Sequence, residues 1–157
     1  MKISLLQTGK TTDRNITALA DIYTTRINKH AVFEVVTIAD LKNAGNMPVQ
    51  EVRIKEGKRI LQSFTNDDFV VLLDERGKQF RTADFSAWLE KLFMISKKRL
   101  VFVIGGSWGF SQDVYDRADF RMSLSEMTFP HQLVRLLFLE QIYRAFTIIK
   151  GEPYHHE

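Results

Sequence analysis

Apolar residues occur along the chain in two alternating patterns, short continuous runs and stripes with helical spacing. Five runs rich in β-branched and aromatic residues predict strands, at residues 3–8, 32–38, 69–73, 100–104 and 121–124. Apolar residues three and four positions apart predict helices between them, and the first helix has its apolar face at Ile16, Leu19, Ala20, Tyr23 and Ile27. Alternating strands and helices predict one α/β domain over residues 1–157, with a mainly parallel five-stranded sheet flanked by helices.

Capping and turn residues predict where several of these elements begin and end. Asp13 and Thr82 are expected to cap the helices that follow them, and a short helix is expected to begin near Ser111. The polar segment 74–78 is expected to turn the chain after the third strand. The last helix is expected to begin after Pro130 and to end at Gly151.

Composition limits the classes of protein to which the chain can belong. It has 157 residues and no cysteine, which excludes disulfides, thiolate metal sites and cysteine nucleophiles. The 22 basic and 19 acidic residues give a net charge of +3, which is compatible with an RNA partner without requiring one. No apolar run approaches the roughly 20 residues of a membrane span, and the first one is too short for a signal peptide. We therefore expect a cytoplasmic protein with no membrane partner.

A glycine-rich loop, Gly105-Gly106-x-x-Gly109, follows the fourth predicted strand. Glycine permits close approach of the backbone, so such a loop can present N–H groups to a ligand. The dinucleotide fingerprint GxGxxG would follow the first strand, and the phosphate-binding pattern GxxxxGK[ST] is absent. A tight turn between strand and helix is the alternative interpretation.

The last predicted helix carries charged residues and an unusually apolar stretch. Arg135, Glu140 and Arg144 either face solvent, as charges on helices usually do, or belong to a site. Residues 136–139 are all apolar and cover every side of the helix. We expect this excess of apolar surface to be buried in a homodimer.

The C-terminal tail has two interpretations from its residues alone. It could be a frayed end, which is common at termini. His155, His156 and Glu157 could also bind a metal, but adjacent residues rarely chelate one ion together. We therefore expect no metal site.

Several motifs in the second half of the chain match one family in order and spacing. They are Ile104-Gly105-Gly106, Leu124-Ser125-x-x-Thr128-x-Pro130-His131, Leu133-Val134-Arg135, Glu140-Gln141-x-Tyr143-Arg144-Ala145 and Pro153-Tyr154-His155. Together they resemble the large-subunit (23S) ribosomal RNA pseudouridine N3-methyltransferases, a family of the SPOUT or α/β-knot superfamily. The resemblance implies a C-terminal trefoil knot, which is very rare among proteins. It also implies a homodimer that acts on the assembled ribosome.

The resemblance further implies a set of site residues. The implied cofactor, S-adenosylmethionine, would be held by Leu73, Gly105, Gly106, Leu124, Ser125, Glu126, Met127, Thr128 and Phe129. Leu73 and Leu124 could equally be core residues. The implied substrate-binding residues are His131, Arg135 and Arg144. Tyr154 and His155 would lie over the partner's site, with Tyr154 positioning the target base and His155 as candidate base for its N3 proton.

The chain departs from the family pattern at four positions. Ser107 and Trp108 replace the usual Pro-Glu of the glycine loop, so Trp108 is expected either to stack on RNA or to pack. Glu152 replaces a histidine and His156 an arginine in the tail. Two other functions remain open: a non-catalytic ribosome- or RNA-binding module on the same fold, and a dinucleotide-dependent oxidoreductase, which the position of the glycine loop disfavours.

Overall fold

Five parallel strands form one sheet in the computed structural model, which describes all of residues 1–157. They are β1 (Lys2–Thr8), β2 (Phe33–Ile38), β3 (Asp68–Gln79), β4 (Arg99–Ile104) and β5 (Phe120–Ser123), in the order β2-β1-β4-β3-β5. Every pair of neighbouring strands is parallel, as the continuous apolar runs predict. The predicted fold class, a five-stranded α/β sheet, is confirmed.

Five helices cover the two faces of this sheet. They are α1 (Arg14–Ile27), α2 (Val49–Gln62), α3 (Thr82–Leu92), α4 (Gln112–Arg117) and α5 (His131–Ile149), and a 3₁₀ turn spans Ala44–Asn46. The larger part of the core lies between the sheet and α1, α3 and α5. The smaller part lies between the sheet and α2 and α4. None of the five helices has both the length and the hydropathy required to cross a lipid bilayer.

Three of the four predicted helix starts are confirmed, and one of them is that of α5, which begins directly after Pro130. The Asp13 carboxylate accepts hydrogen bonds from the backbone N–H groups of Asn15 and Ile16, at 2.9 and 3.1 Å. Ser111 caps α4 through the backbone N–H of Val114. The prediction for Thr82 was wrong, because α3 begins one residue earlier than expected and Thr82 already lies in its first turn.

The predicted turn at 74–78 was also wrong, because β3 continues through it to Gln79. The pairing with β5 is irregular there: Leu73 and Lys78 both lie opposite Met122, so the intervening residues bulge out of the ladder. A Cβ on Gly77 would lie 2.5 Å from the carbonyl carbon of Met122, so only glycine permits this approach. The bulge carries Asp74, Glu75 and Arg76 away from the sheet.

Large apolar residues are exposed on α1, α2 and β2 and in several loops, but not on α5. Leu19 was predicted to be buried but is 45% exposed, and Ile22 on the next turn is 46% exposed. No large apolar residue of α5 is fully exposed, because α1 and α3 pack along it and the ring of Phe138 contacts that of Phe102 of β4 at a tilted angle, with 4.8 Å between ring centres. Leu133, Leu136 and Leu137 are only half-buried in the single chain, so the burial of α5 in a homodimer stays a prediction. The trefoil knot stays a prediction, since strand order and pairing do not define how the C-terminal segment is threaded.

A buried ion pair joins the amino ends of β3 and β4, and we expect the stability of the fold to depend on it. Asp68 is 2% exposed and accepts hydrogen bonds from Arg99 Nε and Nη2 at 2.9 and 2.6 Å and from the Thr65 N–H at 2.7 Å. We expect Asp68→Ala to lower the free energy of unfolding by about 3–5 kcal/mol in chemical denaturation, because it leaves these donors unpaired.

A neighbouring aspartate provides the control. Asp67 pairs with Lys98 at 2.6 Å, but both side chains are more than half exposed, so Asp67→Ala should change stability by less than about 1 kcal/mol. Burial alone would raise the pKa of Asp68, but the hydrogen bonds from Arg99 and Thr65 outweigh burial and lower that pKa below its ordinary value of 3.8. This contribution to stability is therefore present above about pH 4 and lost as the pH falls further. Equal effects of the two substitutions at neutral pH would contradict the assignment.

Candidate active site

A cavity of about 670 Å³ lies where the bulge of β3 and the carboxyl ends of β4 and β5 meet the beginning of α5. Leu73, Ile104 and Ser123 reach it from the three strands, and His131 and Val134 line it from the helix. Open parallel sheets bind ligands at the carboxyl ends of their strands, and the volume is typical of a small-molecule site. The cavity is therefore the candidate active site.

Eight of the nine predicted cofactor residues line this one cavity: Leu73, Gly105, Gly106, Leu124, Ser125, Met127, Thr128 and Phe129. Glu126 does not, and its side chain faces solvent. The loop after β5 is held in shape by its serines, because Ser123 Oγ donates to the Ser125 carbonyl at 2.8 Å and Ser125 Oγ accepts from the Met127 N–H at 3.0 Å. These eight residues therefore share one cavity, and their role in binding a cofactor stays a prediction.

The glycines of the loop after β4 are required for packing within the protein. A Cβ on Gly105 would lie 2.7 Å from the ring of Phe110, which is buried in the core. A Cβ on Gly106 would lie 2.5 Å from the carboxylate of Glu56. Gly109 alone of the three has a positive φ, of +79°. A larger residue at Gly105 would therefore disturb the core before it met a ligand.

Glu56 of α2 holds the glycine loop in place, which the sequence did not indicate. Its Oε1 accepts a hydrogen bond of 2.7 Å from the backbone N–H of Gly106, and the residue is 9% exposed. Burial raises the pKa of Glu56, although the Gly106 N–H opposes that effect. The next residue, Gly57, lets α2 approach Ser111 closely. The adjacent Glu56 and Gly57 are the only sign of this contact in the sequence, and they do not identify the loop that α2 contacts.

The bulge of β3 brings a carboxylate and a phenol together in the wall of the cavity. The Tyr115 hydroxyl donates a short hydrogen bond to Asp74, and both residues line the cavity. Burial and this hydrogen bond raise the pKa of Tyr115 to about 12. The Arg121 guanidinium lies 5.1 Å from the centre of the Tyr115 ring. Tyr115 therefore remains a neutral donor. Neither Asp74 nor Tyr115 was predicted from the sequence to be a site residue.

The rim of the cavity presents an exposed aromatic ring. Trp108 is 54% exposed, so the interpretation that it packs in the core is wrong. Arg53 of α2 donates from Nε to the Trp108 carbonyl at 2.6 Å and also lines the cavity. The backbone below the indole is therefore fixed while its ring remains open to a ligand.

Arg135 is a buried structural residue and not part of an RNA-binding surface. It is 2% exposed and donates to the carbonyls of Thr8 and Gly9, at 2.5 and 2.9 Å, and to the hydroxyl of Thr11 at 3.0 Å. The predicted substrate-binding role does not fit this placement, because most of the guanidinium's donors already have partners inside the protein. The residue ties α5 to the carboxyl end of β1.

His131, the second predicted substrate-binding residue, lines the cavity. Its Nε2 lies 2.8 Å from Arg135 Nη2, and because arginine can only donate, Nε2 is the acceptor. Burial, and then the charge of Arg135, lower the pKa of His131. The ring is therefore neutral at physiological pH, with its proton on Nδ1.

The tail of the chain packs on α5, and neither Tyr154 nor His155 is part of the cavity wall. The Tyr154 hydroxyl donates to Glu140 at 3.2 Å, and the Arg144 guanidinium lies 4.7 Å from the centre of the Tyr154 ring. Arg144 also pairs with Glu140 and lies 3.4 Å from Nδ1 of His155. The structure therefore groups Arg144 with the two tail residues and separates all three from the cavity of the same chain.

No group of three or more histidine or acidic side chains is arranged to hold a metal ion. The parallel sheet and the cavity agree with the SPOUT methyltransferase class that the resemblance implies. The chain belongs to this family, because the family model described as "Predicted SPOUT methyltransferase" matches residues 1–155.

Relatives of known name are similar over their whole length. The chain is 52% identical over 156 residues to "Ribosomal RNA large subunit methyltransferase H" of Christiangramia forsetii, with 99% of each chain covered. It is 48% and 46% identical to proteins of the same name from Flavobacterium psychrophilum and Phocaeicola vulgatus, with 100% of each chain covered. A solved structure, described as a probable methylase family protein from Haemophilus influenzae, matches with a TM-score of 0.50 at 10% identity. The match covers 95% of this chain and 66% of that one, and it supports the fold alone.

We expect the affinity for S-adenosylmethionine to depend on the contact between Glu56 and the glycine loop. Glu56→Ala leaves the Gly106 N–H without its acceptor, at a cost of about 1–3 kcal/mol, whereas Glu56→Gln keeps an acceptor oxygen. We expect calorimetry to show S-adenosylmethionine binding about tenfold weaker in the alanine variant and nearly unchanged in the glutamine variant.

Glu51→Ala is the matched control, because Glu51 lies on the same helix and forms only a surface pair with Lys55. Its affinity should equal that of the unmodified protein. If Glu56→Ala binds S-adenosylmethionine as well as Glu51→Ala does, the glycine loop does not depend on this carboxylate.

Proposed function

We propose that this protein transfers a methyl group from S-adenosylmethionine to N3 of a pseudouridine in large-subunit (23S) ribosomal RNA of the assembled ribosome. The observation that carries the proposal is the cavity, in which eight residues implied by the resemblance line one site beside the bulge of β3 and the carboxyl ends of β4 and β5. Relatives named for large-subunit ribosomal RNA methylation, at up to 52% identity over nearly the full length, support the substrate. A ribosomal substrate would place the protein in the cytoplasm.

The residues of the cavity fit S-adenosylmethionine. Leu73, Leu124 and Phe129 offer apolar surface for an adenine ring, and the loops at 105–109 and 124–129 offer backbone hydrogen-bonding groups. The wall carries charges of both signs: Asp74 and Glu75 would attract the sulfonium and ammonium groups of this ligand, and Arg53 and Arg76 its carboxylate. When bound, the cofactor supplies an electrophilic methyl group on a good leaving group. The protein then contributes mainly the alignment of that methyl group with N3.

The target base is held, in this proposal, by the tail of a second copy of the chain. The tail lies on α5 and away from the cavity of its own chain, so a partner is the simplest source of Tyr154 and His155. Leu19 and Ile22, exposed side by side on α1, supply apolar surface for a homodimer. The catalytic site is then composed of a cavity from one chain and a tail from the other.

His155 is better suited to positioning the base than to removing its proton. Arg144 can only donate, so the contact at 3.4 Å makes Nδ1 of His155 an acceptor and leaves the proton of the neutral ring on Nε2. We therefore assign to Tyr154 and His155 hydrogen bonds to the base, and to water the acceptance of the N3 proton.

Methyl transfer to ribosomes tests the function directly. Ribosomes from cells that lack the modification should gain one methyl group per large subunit when incubated with the protein and S-adenosylmethionine, as measured by mass spectrometry of the RNA. A protein that binds both ligands and transfers no methyl group would instead be the non-catalytic binding module. The oxidoreductase alternative has no support in the structure or in the relatives.

A complementation experiment tests the shared site. One variant lacks residues 153–157 and should keep its affinity for S-adenosylmethionine while losing methyl transfer. The other is Thr128→Trp, which adds a bulky ring at an exposed position of the cavity wall and should block cofactor binding without disturbing the core. Mixed dimers of the two variants contain one intact cavity and one intact tail, so they should regain part of the activity.

Light scattering provides the control for this experiment. The unmodified protein should be a dimer of twice 18.3 kDa, with an interface of at least about 1,000 Å². A stable monomer at micromolar concentration would exclude the shared site. If mixed dimers form and remain inactive, the tail acts on its own chain or not at all.

A further inference from the structure

A second concave site, of about 660 Å³, lies at the C-terminal ends of α1 and α5, next to the tail. Its wall is formed by six basic or aromatic residues and one acidic residue, Glu152. The six are Arg26, Lys29, His30, Tyr143, Lys150 and Tyr154. We call this site the tail pocket.

The positive charges of the tail pocket are not neutralised by the protein. Arg26, Lys29 and Lys150 are exposed, and none of them forms an ion pair with a carboxylate. Glu152 is the only acidic residue of the wall, and its carboxylate lies 3.8 Å from Nε2 of His30. The helix dipole favours cations near helix C-termini, which would explain the charges alone. It does not explain why these charges surround a concave site with aromatic walls.

Aromatic rings form the rest of the tail pocket. The Arg26 guanidinium lies 5.5 and 5.6 Å from the ring centres of Tyr23 and Tyr143. Tyr143 also contacts Tyr154 edge to face, with 4.8 Å between ring centres. Unpaired cations interleaved with aromatic rings are the combination by which proteins bind unstacked RNA, with cations on the phosphates and rings against the bases.

We propose that the tail pocket binds the RNA backbone next to the methylated nucleotide, holding its phosphates with Arg26, Lys29 and Lys150 and an unstacked base against Tyr143. The inference rests on the proposed function in one respect: Tyr154 belongs both to the pocket and to the tail that would contact the target base. A pocket that shares a residue with the tail reaches only nucleotides close to the target. Its volume exceeds that of a single phosphate group, and this favours a polynucleotide over a free anion.

Neutralising the three cations tests the proposal. The variant R26Q/K29Q/K150Q removes three charges from the pocket. The control K42Q/K58Q/K91Q removes three charges from exposed lysines that line neither cavity. Sedimentation with ribosomes that lack the modification, over a range of salt concentrations, measures the dissociation constant of each without requiring methyl transfer.

The pocket variant should bind ribosomes about 10- to 100-fold more weakly at about 0.1 M salt, with a salt dependence reduced by roughly two units of slope, because contacts to single-stranded phosphates contribute about 0.7 each. The control should remain within about threefold of the unmodified protein. Both variants should keep the affinity for S-adenosylmethionine, because no residue they change lines the cavity.

The outcomes separate this inference from the proposed function. Equal ribosome affinity of the pocket and control variants overturns the inference, even if the unmodified protein methylates ribosomes normally. A pocket variant that becomes monomeric in light scattering also overturns it, because the charges would then serve the dimer. Pocket-dependent binding by a protein that transfers no methyl group would support the tail pocket and exclude the methyltransferase function.

Discussion

The buried guanidinium of Arg135 fixes the relation between the last helix and the first strand, and the candidate site depends on that relation. By donating to the carbonyls of Thr8 and Gly9, it places the beginning of α5 at the carboxyl end of the sheet. His131 is brought into the cavity wall on the same helical turn, with its tautomer set by the same side chain. Because no carboxylate forms an ion pair with this buried guanidinium, it requires hydrogen bonds to carbonyl groups. This requirement makes the packing of α5 against the end of β1 specific.

The sheet could be predicted from the sequence because the apolar runs of its central strands are continuous and these strands are covered on both faces, whereas β2 at the edge is partly exposed. Helix starts were predictable where a side chain caps its own helix, as Asp13 and Ser111 do. The continuation of β3 was not, because Asp74 to Lys78 has the composition of a turn. Its extended path is stabilised by pairing with β5, more than forty residues away in the sequence. Leu19 was misassigned because helical spacing identifies an apolar face without identifying what covers it.

The candidate site was predictable only where residues belong to a recognisable motif. The loops after β4 and β5 met in one cavity as expected, whereas Glu126 points away from it, since neighbouring residues in a loop face different directions. Glu56 and Tyr115 could not be identified, because their partners Gly106 and Asp74 are 50 and 41 residues away. Arg135 was expected either to face solvent, as a charge on an amphipathic helix usually does, or to bind substrate, and its burial against the carbonyls of Thr8 and Gly9 was not predicted.

The helix α5 separates two sites of different chemistry. His131 stands at its first residue beside the cavity, and Tyr143 lies near its other end in the tail pocket. Nineteen residues at 1.5 Å each make a rod about 28 Å long. In a two-fold dimer the length of α5 would set how far the tail of one chain extends toward the cavity of the other. Inserting a single residue would rotate the tail by about 100° and misalign it, so the helix is constrained in length as well as in composition.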